Sequence, residues 1–260
     1  MRAMVAAVLI DIDGVLTVSW EPLPGAVDAL GRLDLPFALV TNTTSRTRGW
    51  IATTLADQGF PVTVDDVYTA PAVTAAYLAE HHEGARCALL NSGDLRDDLA
   101  GVHVVPVDES TVDVVVVGGA GPEFSYDALN AAFAHVQRGA ALVAMARNLY
   151  WRTADGLQLD GGAFLLGLEA AAGTEATVVG KPSPTFFATA LATLGAQPAQ
   201  AVMIGDDLDA DVLAAQRAGL TGVLVRTGKF RQEVLDASAE RPDHVVDSFA
   251  DLPALLRELG

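Results

Sequence analysis

Two aspartates one residue apart, Asp11 and Asp13, stand at the end of an apolar run in the stretch VLIDIDGVLT, Val8 to Thr17. Side chains at i and i+2 of an extended segment leave on the same face. If Met4 to Ile10 is a strand, both carboxylates can enter one pocket at its carboxyl end. Like charges this close are costly unless a cation or a shared proton offsets them. Gly14 then permits a sharp turn. Three more polar sets recur in the same position, just after an apolar run: Thr41 and Asn42 after PFALV, Lys181 after TVVG, and Asp206 and Asp207 with Asp211 after AVMIG. Clustered carboxylates suit a hard divalent cation such as magnesium. A lysine and a hydroxyl supply positive charge and donors for phosphate oxygens. An aspartate beside such a cation can attack phosphorus, while cation and lysine stabilise the transferring group.

The elements that must position these groups can be read from the apolar pattern. Met4–Ile10, Pro36–Val40 and Ala201–Ile204 suit strands buried on both faces. Helices are expected over Pro22–Leu33, Arg46–Gln58, Pro184–Leu194 and Ala210–Ala218, with Gly59 and Gly219 ending two of them. Gly222–Val225 and His244–Val246 add strands. This alternation predicts an α/β fold, a Rossmann-like core with a mostly parallel sheet. Such sheets bind ligands at the carboxyl ends of their strands. A middle block restarts the pattern with CALLN, VHVVPV, VDVVVVGGAG and ALVAMA, and with helices over Ala70–Ala79, Tyr126–Arg138 and Phe164–Ala172. It has strands enough for its own sheet, so an inserted second α/β unit is expected there. Ala146 to Phe164 reads as a hairpin or loop at the junction.

Composition narrows the partners. The chain has 260 residues, 51% of them hydrophobic, which suffices for one large domain or two modest ones. Its formal net charge of -17 disfavours nucleic acid and anionic membrane as partners. A small anion remains admissible, because a cation or local donors can invert the field at one site. Cys87 is the only cysteine, so an intrachain disulfide and a cysteine-based zinc cluster are excluded. No apolar stretch approaches a membrane span, and the opening is too short and weakly charged for a secretory signal. A cytoplasmic location is therefore expected. Three apparent motifs fail on inspection. A calcium loop counted from Asp207 has Val212 where glycine is needed and Ala218 where glutamate is needed. Gly118, Gly119 and Gly121 lack the last glycine of a dinucleotide fingerprint. His81 and His82 have no HExxH partner.

DIDGVLT, TNTTSR, GKPSP and GDDLDAD resemble, in order, the four motifs of the haloacid dehalogenase (HAD) superfamily of phosphohydrolases. The large insertion between the second and third resembles subclass IIA, which carries a type-two α/β cap and includes NagD-like and nitrophenylphosphatase-like enzymes. ARNLYWRTADGLQLDGGAF is similar to the cap-to-core return of the branch containing the phospholysine/phosphohistidine inorganic pyrophosphate phosphatase. The resemblance implies a HAD core of residues 1–69 and 173–260 and a C2-type cap of residues 70–172. It implies a magnesium-dependent phosphatase working through an aspartyl-phosphate. Asp11 would be the nucleophile. Asp13 would protonate the leaving oxygen, then activate water, and would ligate Mg2+ through its backbone carbonyl. Thr41 and the Asn42 amide would hold phosphate oxygens. Lys181 would pair with Asp11 and the phosphate, and Asp206 would ligate the metal directly. Asp211 would hold metal-bound water or orient Lys181, with Asp207 sharing that work.

The cap would close over the core and select the leaving group, with Asn148, Tyr150, Trp151 and Arg152 as candidate substrate contacts. Small phosphomonoesters, pyrophosphate or phosphoramidates are the substrates implied, with sugar or nucleotide phosphates as the alternative. A phosphate-binding interaction or sensor protein with little turnover is the alternative of another class. A homodimer through an exposed apolar cap face is left open.

Overall fold

The computed structural model describes residues 4–153 and 156–259, and for residues 151–153 the backbone alone. The chain forms two compact units. One comprises Met1–Thr41, Arg48–Tyr68 and Lys181–Gly260, and the other Asn42–Thr47 and Thr69–Gly180.

The first unit is built on a six-stranded sheet. Its order is His244–Val246, Thr221–Val225, Ala201–Gly205, Ala7–Asp11, Phe37–Thr41 and Val67–Thr69. The opening strand Ala7–Asp11 lies between Phe37–Thr41 and Ala201–Gly205, parallel to both. Every residue of that strand is buried, which is why its sequence is a continuous apolar run with no alternation. Helices pack on the sheet, among them Pro184–Leu194 against the strands Ala7–Asp11 and Phe37–Thr41. Val8, Ile10, Leu39 and Ile204 pack with Leu30, Ile51, Leu55 and Leu252. Because neighbouring strands run the same way, their carboxyl ends bring Asp11, Thr41 and the residues after Gly205 to one edge.

The second unit has its own five-stranded parallel sheet, ordered Thr177–Val178, Ala141–Ala144, Val114–Val117, Arg86–Leu90 and His103–Val105. Its core sets Leu90, Val115, Val117 and Leu142 against Leu165 and Leu168. The last two belong to the helix Gly161–Ala172, which starts earlier than the apolar pattern suggests because Asp160 caps it, accepting from the Gly161 N–H at 2.7 Å. Tyr150–Thr153 and Gly156–Leu159 pair as an antiparallel hairpin. Gly118 has a packing role, since a Cβ there would lie 2.1 Å from Asn91 Oδ1. Asn91 spends its amide on backbone carbonyls of Thr44, Ser92 and Gly93 and its oxygen on the Gly119 N–H. It is a buried turn staple.

Several boundaries differ from the sequence expectations for local reasons. The helix expected from Pro22 begins at Ala26, because Thr17–Val18 and Glu21–Pro22 form a short hairpin. The expected helix over Ala210–Ala218 is a wide π-type turn, Leu208–Leu213, followed by a short α-helix, Ala214–Arg217. Thr177–Val178 extends the second sheet by pairing with Val143 and Ala144. Cys87 is buried, and desolvation followed by the nearby Asp113 pushes its thiol up to about 11, so it is an inert core residue. Among the described residues no helix is long and apolar enough to cross a membrane.

Candidate active site

The carboxyl edge of the first sheet gathers three buried aspartates, Asp11, Asp206 and Asp211, each offering an oxygen within 4.8 Å of the others. Asp11 closes the central strand. Asp206 follows the neighbouring strand Ala201–Gly205. Asp211 reaches the same place by way of the π-type turn. Asp207 caps that turn, its side chain accepting from the N–H groups of Asp209 and Ala210. Gly205 makes the approach feasible, because a Cβ there would sit 2.3 Å from the Asp211 Cβ. A local departure from α-helical spacing at a cluster of polar groups is a frequent mark of a functional site.

Lys181 enters this acidic group from the start of the third chain segment. Its ammonium donates to Asp11 Oδ1 at 2.5 Å and to the Val40 carbonyl at 3.3 Å, and pairs with Asp211 Oδ1 at 2.8 Å. Burial alone would lower the lysine's pKa, but Asp11 and Asp211 outweigh that and hold it above its ordinary value. The carboxylates feel the opposite pull. Burial pushes Asp11 up to about 7, with Lys181 opposing and Asp211 reinforcing. Burial, then Asp11 and Asp211, pushes Asp206 up to about 8. Lys229 opposes both shifts as well, yet the two lysines together do not offset the burial of three acids.

A metal fits that surplus. Asp206 Oδ1 is buried and has no hydrogen-bond partner among the described residues, an expensive state for a carboxylate oxygen unless something positive meets it. Three hard oxygen donors are the set expected of a divalent ion such as Mg2+ or Mn2+. In the metal-free protein both raised carboxyls bind protons more tightly when folded than when unfolded. Stability then falls as pH rises from about 4 through about 8. Lys181 acts only above its ordinary value of 10.5, outside that window. Melting with chelator present is expected to come at lower temperature at about pH 8 than at about pH 6, and saturating Mg2+ should flatten the difference. Equal chelated melting temperatures at both pH values would contradict the raised carboxyls.

The other expected residues fall into place unevenly. Thr41 is buried at the end of its strand, and Asn42 follows it directly. Asp13 is exposed, in the turn after the strand, and its carboxylate is not among the clustered three. Asp207 serves the turn, its N–H donating to Asp211 Oδ2 at 3.2 Å. Asn148 and Tyr150 are exposed on the second unit. The side chains of Trp151 and Arg152 lie outside the described residues. Sequence reasoning missed Thr227, Gly228 and Lys229. The Lys229 N–H donates to Asp206 Oδ2 at 2.7 Å, and Thr227 Oγ1 donates to the Gly14 carbonyl at 2.5 Å. The available signal was positional, since RTGK directly follows the buried strand Thr221–Val225.

Comparison with known proteins agrees with this geometry. The haloacid dehalogenase-like hydrolase family matches residues 8–105, and the HAD-hydrolase-like family matches residues 178–252. The human phospholysine phosphohistidine inorganic pyrophosphate phosphatase is 36% identical over 263 residues, covering 98% of this chain and 95% of that protein. The chain belongs to the haloacid dehalogenase-like hydrolases. Among solved HAD structures, NagD from E. coli K-12 superposes with a TM-score of 0.86 at 31% identity, over 95% of this chain and 98% of that one. A glycerol phosphate phosphatase from Mycobacterium tuberculosis, in complex with magnesium, gives a TM-score of 0.86 at 29% identity, over 95% of this chain and 75% of that one. The fold is that of a HAD phosphohydrolase, and the buried aspartates suit an aspartyl-phosphate, metal-assisted chemistry.

Proposed function

We propose that this HAD hydrolase is a magnesium-dependent phosphatase of small phosphorylated metabolites, working through a phosphorylated Asp11. The observation that carries this reading is the Asp11–Asp206–Asp211 cluster, with Lys181 across it and one Asp206 oxygen without a hydrogen-bond partner among the described residues. Asp11, Asp206 and the backbone of Asp13 would hold the cation, and bound there it supplies positive charge to phosphoryl oxygens.

The chain's own groups do the rest. A carboxylate oxygen of Asp11 forms the bond to phosphorus as the bond to the leaving oxygen breaks. Asp13, protonated for this step, gives its proton to that oxygen. Asp13 then takes a proton from water, whose oxygen bonds to phosphorus as the Asp11–phosphorus bond breaks. Exposure of Asp13 in the turn suits a group that must meet both a leaving group and solvent. Lys181 keeps Asp11 oriented and ionised, and Thr41 with the Asn42 amide cradles phosphate oxygens. Asp211 orients Lys181, and Asp207 supports it by shaping the turn. Leaving-group selection falls to the inserted unit, with Asn148, Tyr150, Trp151 and Arg152 as its candidates. Pyrophosphate and phosphoramidates rank first as substrates, by likeness to the phospholysine phosphohistidine enzyme. A lone buried thiol suits work in the reducing cytoplasm.

The test is phosphate release with Mg2+ against chelator, using pyrophosphate, phospholysine, sugar phosphates and nucleotides. Magnesium-dependent turnover of at least one is expected. Tight phosphate binding without turnover of any would favour a sensor and defeat the enzyme reading.

A further inference from the structure

Three mutually repelling carboxylates should splay apart before a cation arrives, yet Asp206 Oδ2 is held by the Lys229 N–H while Oδ1 has no hydrogen-bond partner among the described residues. We propose that Thr227–Gly228–Lys229 is a positioning clasp for Asp206, gripping Oδ2 so that Oδ1 is presented to a divalent cation. The clasp rests on the metal-dependent reading above. The strand Thr221–Val225 runs parallel to Ala201–Gly205 and beside it, so the loops that follow the two strands leave from one edge of the sheet. From one side the Lys229 backbone N–H donates to Oδ2 at 2.7 Å. Thr227 ties this loop to the opening one through its 2.5 Å bond to the Gly14 carbonyl.

The grip depends on two bare backbones. A Cβ on Gly14 would lie 1.9 Å from Asp206 Oδ2, and one on Gly228 would lie 2.0 Å from it. Both glycines also hold positive φ, +85° and +61°, where other residues are strained. Oδ2 therefore fits against two glycine backbones that leave it room, and one amide bond holds it there. A donor bound to the far oxygen of a metal-ligating carboxylate fixes its direction in advance, and losing such outer partners typically weakens metal binding. The hydrogen bond comes from the Lys229 backbone, while its ammonium acts on Asp206 only through charge, so amide and ammonium can be separated by substitution.

The test is calorimetric titration of the full chain with Mg2+ alone, without substrate, alongside circular dichroism melts. Thr227→Val and Gly228→Ala should bind Mg2+ ~10–100-fold more weakly than wild type. Thr227→Ser should restore the affinity, and Lys229→Met, which keeps the N–H, should bind no more weakly than wild type. Should Gly228→Ala fail to fold, the Thr227 pair decides alone. Wild-type affinity in Thr227→Val, or weakened binding in Lys229→Met, overturns the clasp while leaving the phosphatase reading intact. A wild-type protein that neither binds Mg2+ nor releases phosphate overturns both.

Discussion

Asp11→Asn is expected to lower phosphate release by ~10⁴-fold or more while the fold persists. Asparagine retains the shape and an acceptor oxygen for the Lys181 ammonium, now 2.5 Å from Asp11 Oδ1. It cannot attack phosphorus to give an acyl phosphate. Its effect on the empty protein should run the other way. Asp11 is buried, and its charge helps push Asp206 up. Removing that charge relieves repulsion, so the chelated variant should melt no lower than chelated wild type. Single-turnover release and paired melts measure both halves. Wild-type release would remove Asp11 from its assigned role. A large drop in the chelated melting temperature would show that Asp11 is held by attraction to Lys181 more than it suffers from its acidic neighbours.

Lys181→Met is expected to cost both activity and stability. It leaves Asp11 and Asp211 buried without the ammonium that now pairs with each. Breaking a buried ion pair from one side typically costs about 3–5 kcal/mol. Here protonation offers an escape, because Asp11 is already raised to about 7 by burial. The loss should therefore be greatest at alkaline pH and shrink as acid neutralises the cluster. Denaturant unfolding in chelator at acidic and alkaline pH measures this. A loss independent of pH would mean that packing of the lysine stem, not its charge, carries the effect.

The architecture was legible because it is written in side-chain type. Continuous apolar runs mark strands covered on both faces, and polar residues immediately after them mark the ligand edge of a parallel sheet. Asp11, Thr41 and Asp206 obey that rule, whereas Lys181 comes after Thr177–Val178, a short, partly exposed edge strand of the other sheet. What escaped is carried by backbone. Lys229 reaches Asp206 with an amide every residue but proline possesses, and Gly14 and Gly228 contribute an absence of atoms. The Thr17–Pro22 hairpin turns through Ser19 and Trp20 at φ 51° and 68°. Neither carries the glycine or asparagine that normally announces such a turn. The π-type turn at Leu208–Leu213 has no periodicity of its own, and a run with acids at 206, 207, 209 and 211 reads as an ordinary capped helix. The terminal helix Leu252–Leu259 is different, for its apolar stripe and the preceding Ser248–Asp251 capping box were both available signals.

The two sheets also differ in when a ribosome can complete them. Every strand of the second lies between Arg86 and Val178, so a nascent chain owns that sheet whole while the first still lacks Ala201–Gly205, Thr221–Val225 and His244–Val246. Until those strands emerge, Ala7–Asp11 stands at an open border with a neighbour on one side only. Lys181 leaves the exit tunnel before Asp206 and Asp211 do, although it lies 170 residues beyond Asp11. The counter-charge thus follows Asp11 but is delivered ahead of the other two acids of the cluster. At no stage of synthesis need three like charges be enclosed without it.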